Sequence, residues 1–165
     1  MKRNLSLVFW LAMFVGIVGI EVISAFGQNA ALVGTWTNGS VGSIQYKDRV
    51  TGSTSPGRGS HFSYKFFANG SYEFVGYMES TMYSCRSTLF NQITGKYRVD
   101  GSTIDLDPAR DFWKSTNSCA ASGNKQTAKT PVRKTVEFRQ TMDDYGATLL
   151  CLNDGTGETC YRREK

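Results

Sequence analysis

The stretch Phe62-Ser63-Tyr64-Lys65-Phe66-Phe67-Ala68-Asn69-Gly70-Ser71-Tyr72-Glu73-Phe74-Val75-Gly76-Tyr77 decides the fold class. Two runs rich in aromatic and β-branched residues flank Asn69-Gly70, the strongest short hairpin signal a sequence can carry. With those two residues as the turn, Phe66 faces Glu73, Tyr64 faces Val75 and Phe62 faces Tyr77, so one face of the ribbon is largely aromatic. That face is either packed core or the lining of a cavity, since small barrels can be filled by their own side chains. Glu73 shares it in this register and would need a buried partner. A one-residue slip puts Glu73 outside.

The same pattern extends in both directions. Upstream, 31–37 reads as a first strand, and the Gly/Ser-rich stretch Thr51 to Ser60 reads as a long mobile loop. Downstream, Ile93 to Val99 and Thr103 to Leu106 flank Asp100-Gly101. That turn pairs Tyr97 with Ile104 and Gly95 with Leu106 on one face, and Lys96 with Asp105 on the other, the alternation of a half-buried antiparallel sheet. The polar stretch Asn117 to Thr130 reads as a loop. Val132 to Met142 alternates again, Asp143-Asp144 turns the chain, and Tyr145 to Leu152 with Glu158 to Arg163 forms a last hairpin. No amphipathic helix or internal repeat interrupts this series. The expected fold is all-β, an antiparallel up-and-down barrel of about eight to nine strands, because closure removes exposed sheet edges.

The 165 residues include 10 Phe, 8 Tyr and 3 Trp against only 3 Pro, a balance that favours strands. One histidine, His61, excludes a multi-histidine metal centre and nearly empties the acid–base inventory; it reads as a solvated or rim residue. No phosphate-binding glycine loop or nucleophile elbow is present. No catalytic constellation, metal or cofactor is therefore expected, and an enzyme is the third choice of function. The basic residues Lys125, Lys129, Arg133 and Lys134 read as a solvated loop and strand entry. No nucleic-acid partner is expected.

Lys2 and Arg3 precede an apolar run from Leu5 to Ile20, followed by small residues around Ala25 and Gly27. This is the order of a secretory signal. The run is short of the about 20 residues that a membrane span needs, so cleavage after Ala25 or Gly27 is favoured over an uncleaved anchor. Residues 1–27 are then a signal and 28–165 one domain, secreted or periplasmic, touching membrane only through the export signal. The four cysteines, Cys85, Cys119, Cys151 and Cys160, are even in number and lack CxxC spacing, which in an exported chain reads as two disulfides. A two-residue Gly155-Thr156 turn pairs Cys151 with Cys160 at a non-hydrogen-bonded site, where Cα atoms approach to about 4.5 Å. Cys85–Cys119 follows by elimination.

Three short motifs resemble the lipocalin, or calycin, family. Gly34-Thr35-Trp36 looks like its Gly-x-Trp signature, and Thr141 to Tyr145 partly resembles its Thr-Asp-Tyr motif, interrupted by Met142. Arg162 or Arg163 stands where the family packs an arginine over the tryptophan. The run Phe66 to Phe74, with Gly95-Lys96-Tyr97 and Ile104-Asp105-Leu106, is similar to short bacterial lipocalin-like domains. The resemblance implies structural roles for Gly34, Trp36 and Arg162. It also implies a calyx for a lipophilic or aromatic molecule lined by Phe62, Tyr64, Phe66, Glu73, Val75 and Tyr77. The alternative is a filled barrel whose loops bind a protein partner, as an enzyme inhibitor does. Asn38-Gly39-Ser40 and Asn69-Gly70-Ser71 are glycosylation sequons only in a host that glycosylates exported proteins.

Overall fold

A computed structural model describes residues 30–41, 46–47, 54–55 and 59–165. The signal segment 1–27 and most of the Thr51 to Ser60 stretch lie outside the described residues. Among the described residues eleven strands follow one another: β1 (Gly34–Val41), β2 (Tyr46–Lys47), β3 (Thr54–Ser55), β4 (Gly59–Phe66), β5 (Ser71–Met82), β6 (Cys85–Asp100), β7 (Thr103–Asn117), β8 (Lys125–Lys129), β9 (Lys134–Met142), β10 (Thr148–Asn153) and β11 (Glu158–Arg163). Nine form one antiparallel sheet in the order β6-β5-β4-β1-β11-β10-β9-β7-β8, and β6 also pairs with β7. That pairing closes the sheet into an up-and-down ring, with β8 added beside the outer half of β7. The small β2–β3 ribbon stands apart.

The turns set the registers. Between β4 and β5 the Phe67 N–H donates to the Ser71 carbonyl at 2.9 Å and the Gly70 N–H to the Phe67 carbonyl at 3.1 Å. Gly70 has φ +75, so three residues, not two, make this turn. The register moves by one: Phe66 pairs with Tyr72, Tyr64 with Phe74 and Phe62 with Gly76. Between β6 and β7 the turn centres on Gly101-Ser102 instead of Asp100-Gly101, so Tyr97 pairs with Leu106 and Arg98 with Asp105. That shift of two residues leaves each side chain on its expected face. In the last hairpin, Cys151 pairs with Cys160 and Asn153 with Glu158, the register counted from Gly155-Thr156. Both disulfides are present, Cys151–Cys160 with Cα atoms 3.9 Å apart and Cys85–Cys119 with 5.3 Å. Two disulfides suit an oxidising compartment.

The structure differs from the sequence reading in several elements: β3 and the start of β4 fall within the expected Thr51 to Ser60 loop, β6 begins well before Ile93, and β7 runs on past Leu106. Residues 30–32 are helical and the first strand starts at Gly34. The polar stretch Asn117 to Thr130 is not all loop: a short 3-10 turn, Ala121–Gly123, leads into β8, which pairs with Asp111 to Ser115 of β7. Its side chains are exposed throughout, so no hydrophobic alternation announces it.

The ring holds one hydrophobic core at the end where β1 begins, built on Leu32, Trp36, Phe66, Ile104 and Leu150, each no more than 1% exposed. Farther along, a register shift interrupts β6–β7 between Thr94 and Gly95. Gly95 faces Pro108, which cannot donate to the ladder and is tolerated at such an irregularity. A Cβ on Gly95 would lie 2.2 Å from the Asp107 carbonyl oxygen and 2.6 Å from the Pro108 Cα, both backbone atoms. Gly95→Ala should therefore cost about 2–3 kcal/mol, read by denaturant melts. Gly123→Ala, which meets open space, should stay within about 0.5 kcal/mol of the parent.

Candidate functional site

The floor of the barrel is built around Trp36. Its indole Nε1 donates to the Leu32 carbonyl at 2.8 Å, so the helical residues before β1 are tied beneath the ring. The Arg163 guanidinium lies over the Trp36 ring, 5.4 Å from its centroid, and donates to the Val33 carbonyl at 2.9 Å. Gly34 has φ +135, a backbone conformation that side chains rarely adopt, and a Cβ there would stand in ordinary contact with that guanidinium, at 3.5 Å. Arg162 does not take this role. Neighbours along a strand face opposite ways, and Arg162 points outward to Asp143. Asp143 also accepts the N–H groups of Ala147 and Tyr145, so it caps the loop between β9 and β10, and these bonds hold its carboxyl below the usual range.

Above the floor the barrel is hollow. A cavity of about 730 Å³ opens toward the end where β1 finishes, walled by Phe62, Tyr64, Phe74, Ile93, Trp113 and Tyr161. A recess of about 200 Å³ continues beside Leu106, Val136 and Leu152. Tyr64 organises the rings: it stacks on Phe66 at 5.7 Å, tilts against Phe74 at 4.7 Å and meets Tyr161 edge-on at 5.3 Å. Of the residues expected to line a cavity, Phe62 and Tyr64 do so, whereas Phe66 belongs to the packed floor. Glu73, Val75 and Tyr77 do not. The three-residue turn places them on the outer face, and Tyr72, Phe74 and Gly76 take their places inside. Glu73 accepts from Gln92 at 2.6 Å, and the Tyr77 hydroxyl donates to Glu79 at 2.6 Å, where Arg86 joins it.

The polar part of the wall was not read from the sequence. Ile93 pairs with Asp111 and Asn91 with Trp113, while Gly95 pairs with Pro108. One extra residue, Ala109, is thus taken up in β7. It reverses the alternation, so Asp111 and Trp113 share the inner face with Leu106. Asn91, only 6% exposed, donates to Asp111 Oδ1 at 2.9 Å and to the Phe112 carbonyl at 3.1 Å. Trp113 Nε1 is buried without a hydrogen-bond partner among the described residues, and the Lys129 ammonium covers the ring at 3.8 Å. Asn38, half-buried, donates its side-chain amide to the Cys160 carbonyl at 2.7 Å, so the first sequon's nitrogen is engaged in a hydrogen bond. In the second sequon, Asn69 Oδ1 accepts from Ser71 within the turn.

The basic residues do not form one patch. Arg133 pairs with Asp107 at 2.8 Å, Lys129 covers Trp113, Lys134 lines the cavity and Lys125 is exposed. His61 sits in β4 across from Gly39 and Tyr77. Among the described residues, the one grouping with metal-ligand spacing is Cys151, Glu158 and Cys160, and its two sulfurs are joined in a disulfide.

Burial governs the tyrosines that surround the cavity. It pushes Tyr72 and Tyr161 up to about 12, with Asp107 and Asp111 adding to the first and Asp154 to the second. Tyr64 is raised further by burial, with Tyr161, Tyr72 and Asp154 adding to it. Comparison with protein-family models, with curated proteins and with solved structures gives no match to this chain.

Phenols whose folded pKa lies above the unfolded value of about 10 stabilise the fold fully below pH 10, and that stability is lost as the pH rises toward 12. Thermal melts should hold steady up to pH 10. Above it, stability should fall by roughly 1.4 kcal/mol per pH unit for each such ring. Tyr72→Phe with Tyr161→Phe should flatten that descent, and an unchanged slope in the double variant would remove these rings as its cause.

Proposed function

We propose that this chain is an exported barrel that binds a small lipophilic or aromatic molecule in its calyx. The single observation that carries this reading is the cavity of about 730 Å³ walled by rings above a sealed floor. That volume lies within the about 300–1,000 Å³ of small-molecule sites, and an apolar wall with a few convergent polar groups is their usual composition. Export is supported by the two disulfides and by the order of residues 1–27. The lipocalin-like reading gains support from Gly34-Thr35-Trp36 at the start of β1 and from Arg163 over the tryptophan. A filled barrel that binds a protein through its loops has less support, because the upper half of the interior is not filled by its own side chains.

The test is native mass spectrometry of the exported protein, before and after organic extraction, with uptake of a lipophilic fluorescent probe as the second readout. One bound small molecule per chain, lost on extraction, is expected. Ile93→Trp places a large ring in the cavity and should weaken probe binding by about tenfold or more, with the melting temperature held. A bare chain that takes up no probe, or equal binding by Ile93→Trp, would overturn the reading.

A further inference from the structure

We propose, resting on the calyx reading, that the occupant is an organic cation with an apolar or aromatic body, its positive centre seated against Asp111. The carboxylate is held in the cavity wall by construction. The extra residue Ala109 turns it inward, and the buried Asn91 fixes Oδ1 by a 2.9 Å bond. Its other oxygen, Oδ2, has no hydrogen-bond donor among the described residues, and no lysine, arginine or histidine there lies within 4.0 Å of it.

The missing counter-ion is informative because one stands nearby and goes elsewhere. Lys129 pairs directly with Asp111 in the β7–β8 ladder, yet its ammonium lies on the Trp113 ring, 3.8 Å from the centroid. The indole beside Asp111 thus holds an ammonium already, which is the contact an organic cation would make in the calyx. A half-buried carboxylate with one oxygen unpaired and no counter-ion within 4.0 Å is costly, and a ligand cation compensates that cost where water does so less well. The residues that line the cavity include two carboxylates, Asp111 and Asp154, and one ammonium, Lys134, with the Lys129 ammonium on the Trp113 ring as a second cation. An anionic head seated at Asp111 would face that carboxylate's unpaired Oδ2, whereas the Lys129 ammonium is engaged on the Trp113 ring.

Three probes with one ring system separate charge from shape: 2-naphthylmethyl-trimethylammonium, 2-naphthylmethanol and 2-naphthylacetate, titrated calorimetrically at neutral pH and low salt. The ammonium should bind about tenfold tighter than the alcohol, and the acetate most weakly. Asp111→Asn, which keeps the acceptor for Asn91, should bring the ammonium to within about twofold of the alcohol. Asp154→Asn should weaken the ammonium less. If the alcohol binds and the ammonium has no advantage, or if Asp111→Asn weakens all three probes equally, the cation assignment is wrong while the calyx stands. If none of the three binds, the calyx reading falls and the assignment with it. The comparison of probes on the parent protein decides the matter even if Asp111→Asn does not fold.

Discussion

Closure of the ring depends on Trp36. Strand β1 meets β11 over two residue pairs only, Trp36 with Arg163 and Thr37 with Arg162, whereas β1 pairs with β4 over its full length. The backbone alone contributes little at this seam. Side chains supply the rest: Arg163 on both the Trp36 ring and the Val33 carbonyl, and Asn38 on the Cys160 carbonyl. The indole is fully buried, and truncating such a residue costs about 3–5 kcal/mol, much of the 5–15 kcal/mol by which a domain is stable.

A sealed floor permits an open upper half. Leu32, Phe66, Ile104 and Leu150 fill the barrel near Trp36, so the remaining volume need not be packed to hold the ring together. Strands β5, β6 and β7 run past the floor, and their inner side chains border space where the opposite wall has ended. Gly95 and Pro108 set what that space presents. By taking up one extra residue in β7 they bring Asp111 and Trp113 inside and send Arg110 and Phe112 outside, where the guanidinium lies on the Phe112 ring at 5.7 Å. A single local irregularity thus determines the chemistry of the mouth.

The strand series, the ring and both disulfides could be read from alternation and turn residues. Counting from Gly155-Thr156 reached the Cys151–Cys160 pair because nothing intervenes in that hairpin. Counting from Asn69-Gly70 missed by one residue, since an Asn-Gly pair serves either a two-residue turn or a three-residue turn with glycine at positive φ, and the choice moved Glu73, Val75 and Tyr77 outside. Trp36 and its cation were foreseen, but parity gave the role to Arg163 and not to Arg162. The mouth was not legible. Asp111 and Trp113 lie beyond Leu106, where the expected strand stopped, and the bulge that turns them inward leaves only Gly95 and Pro108 as its mark. β8 was missed because its residues are polar on both faces and are held by backbone pairing with β7.

A crystal structure of the protein bound to a brominated naphthalene tests the hollow barrel directly, since bromine can be located by its anomalous signal. One peak is expected inside the ring, between Phe62, Phe74 and Ile93, with the Trp36 floor undisturbed. A peak on the outer face beside Tyr77, Phe90 and Phe112, where a shallower hollow of about 520 Å³ also offers aromatic rings, would contradict it, as would an interior that holds no bromine.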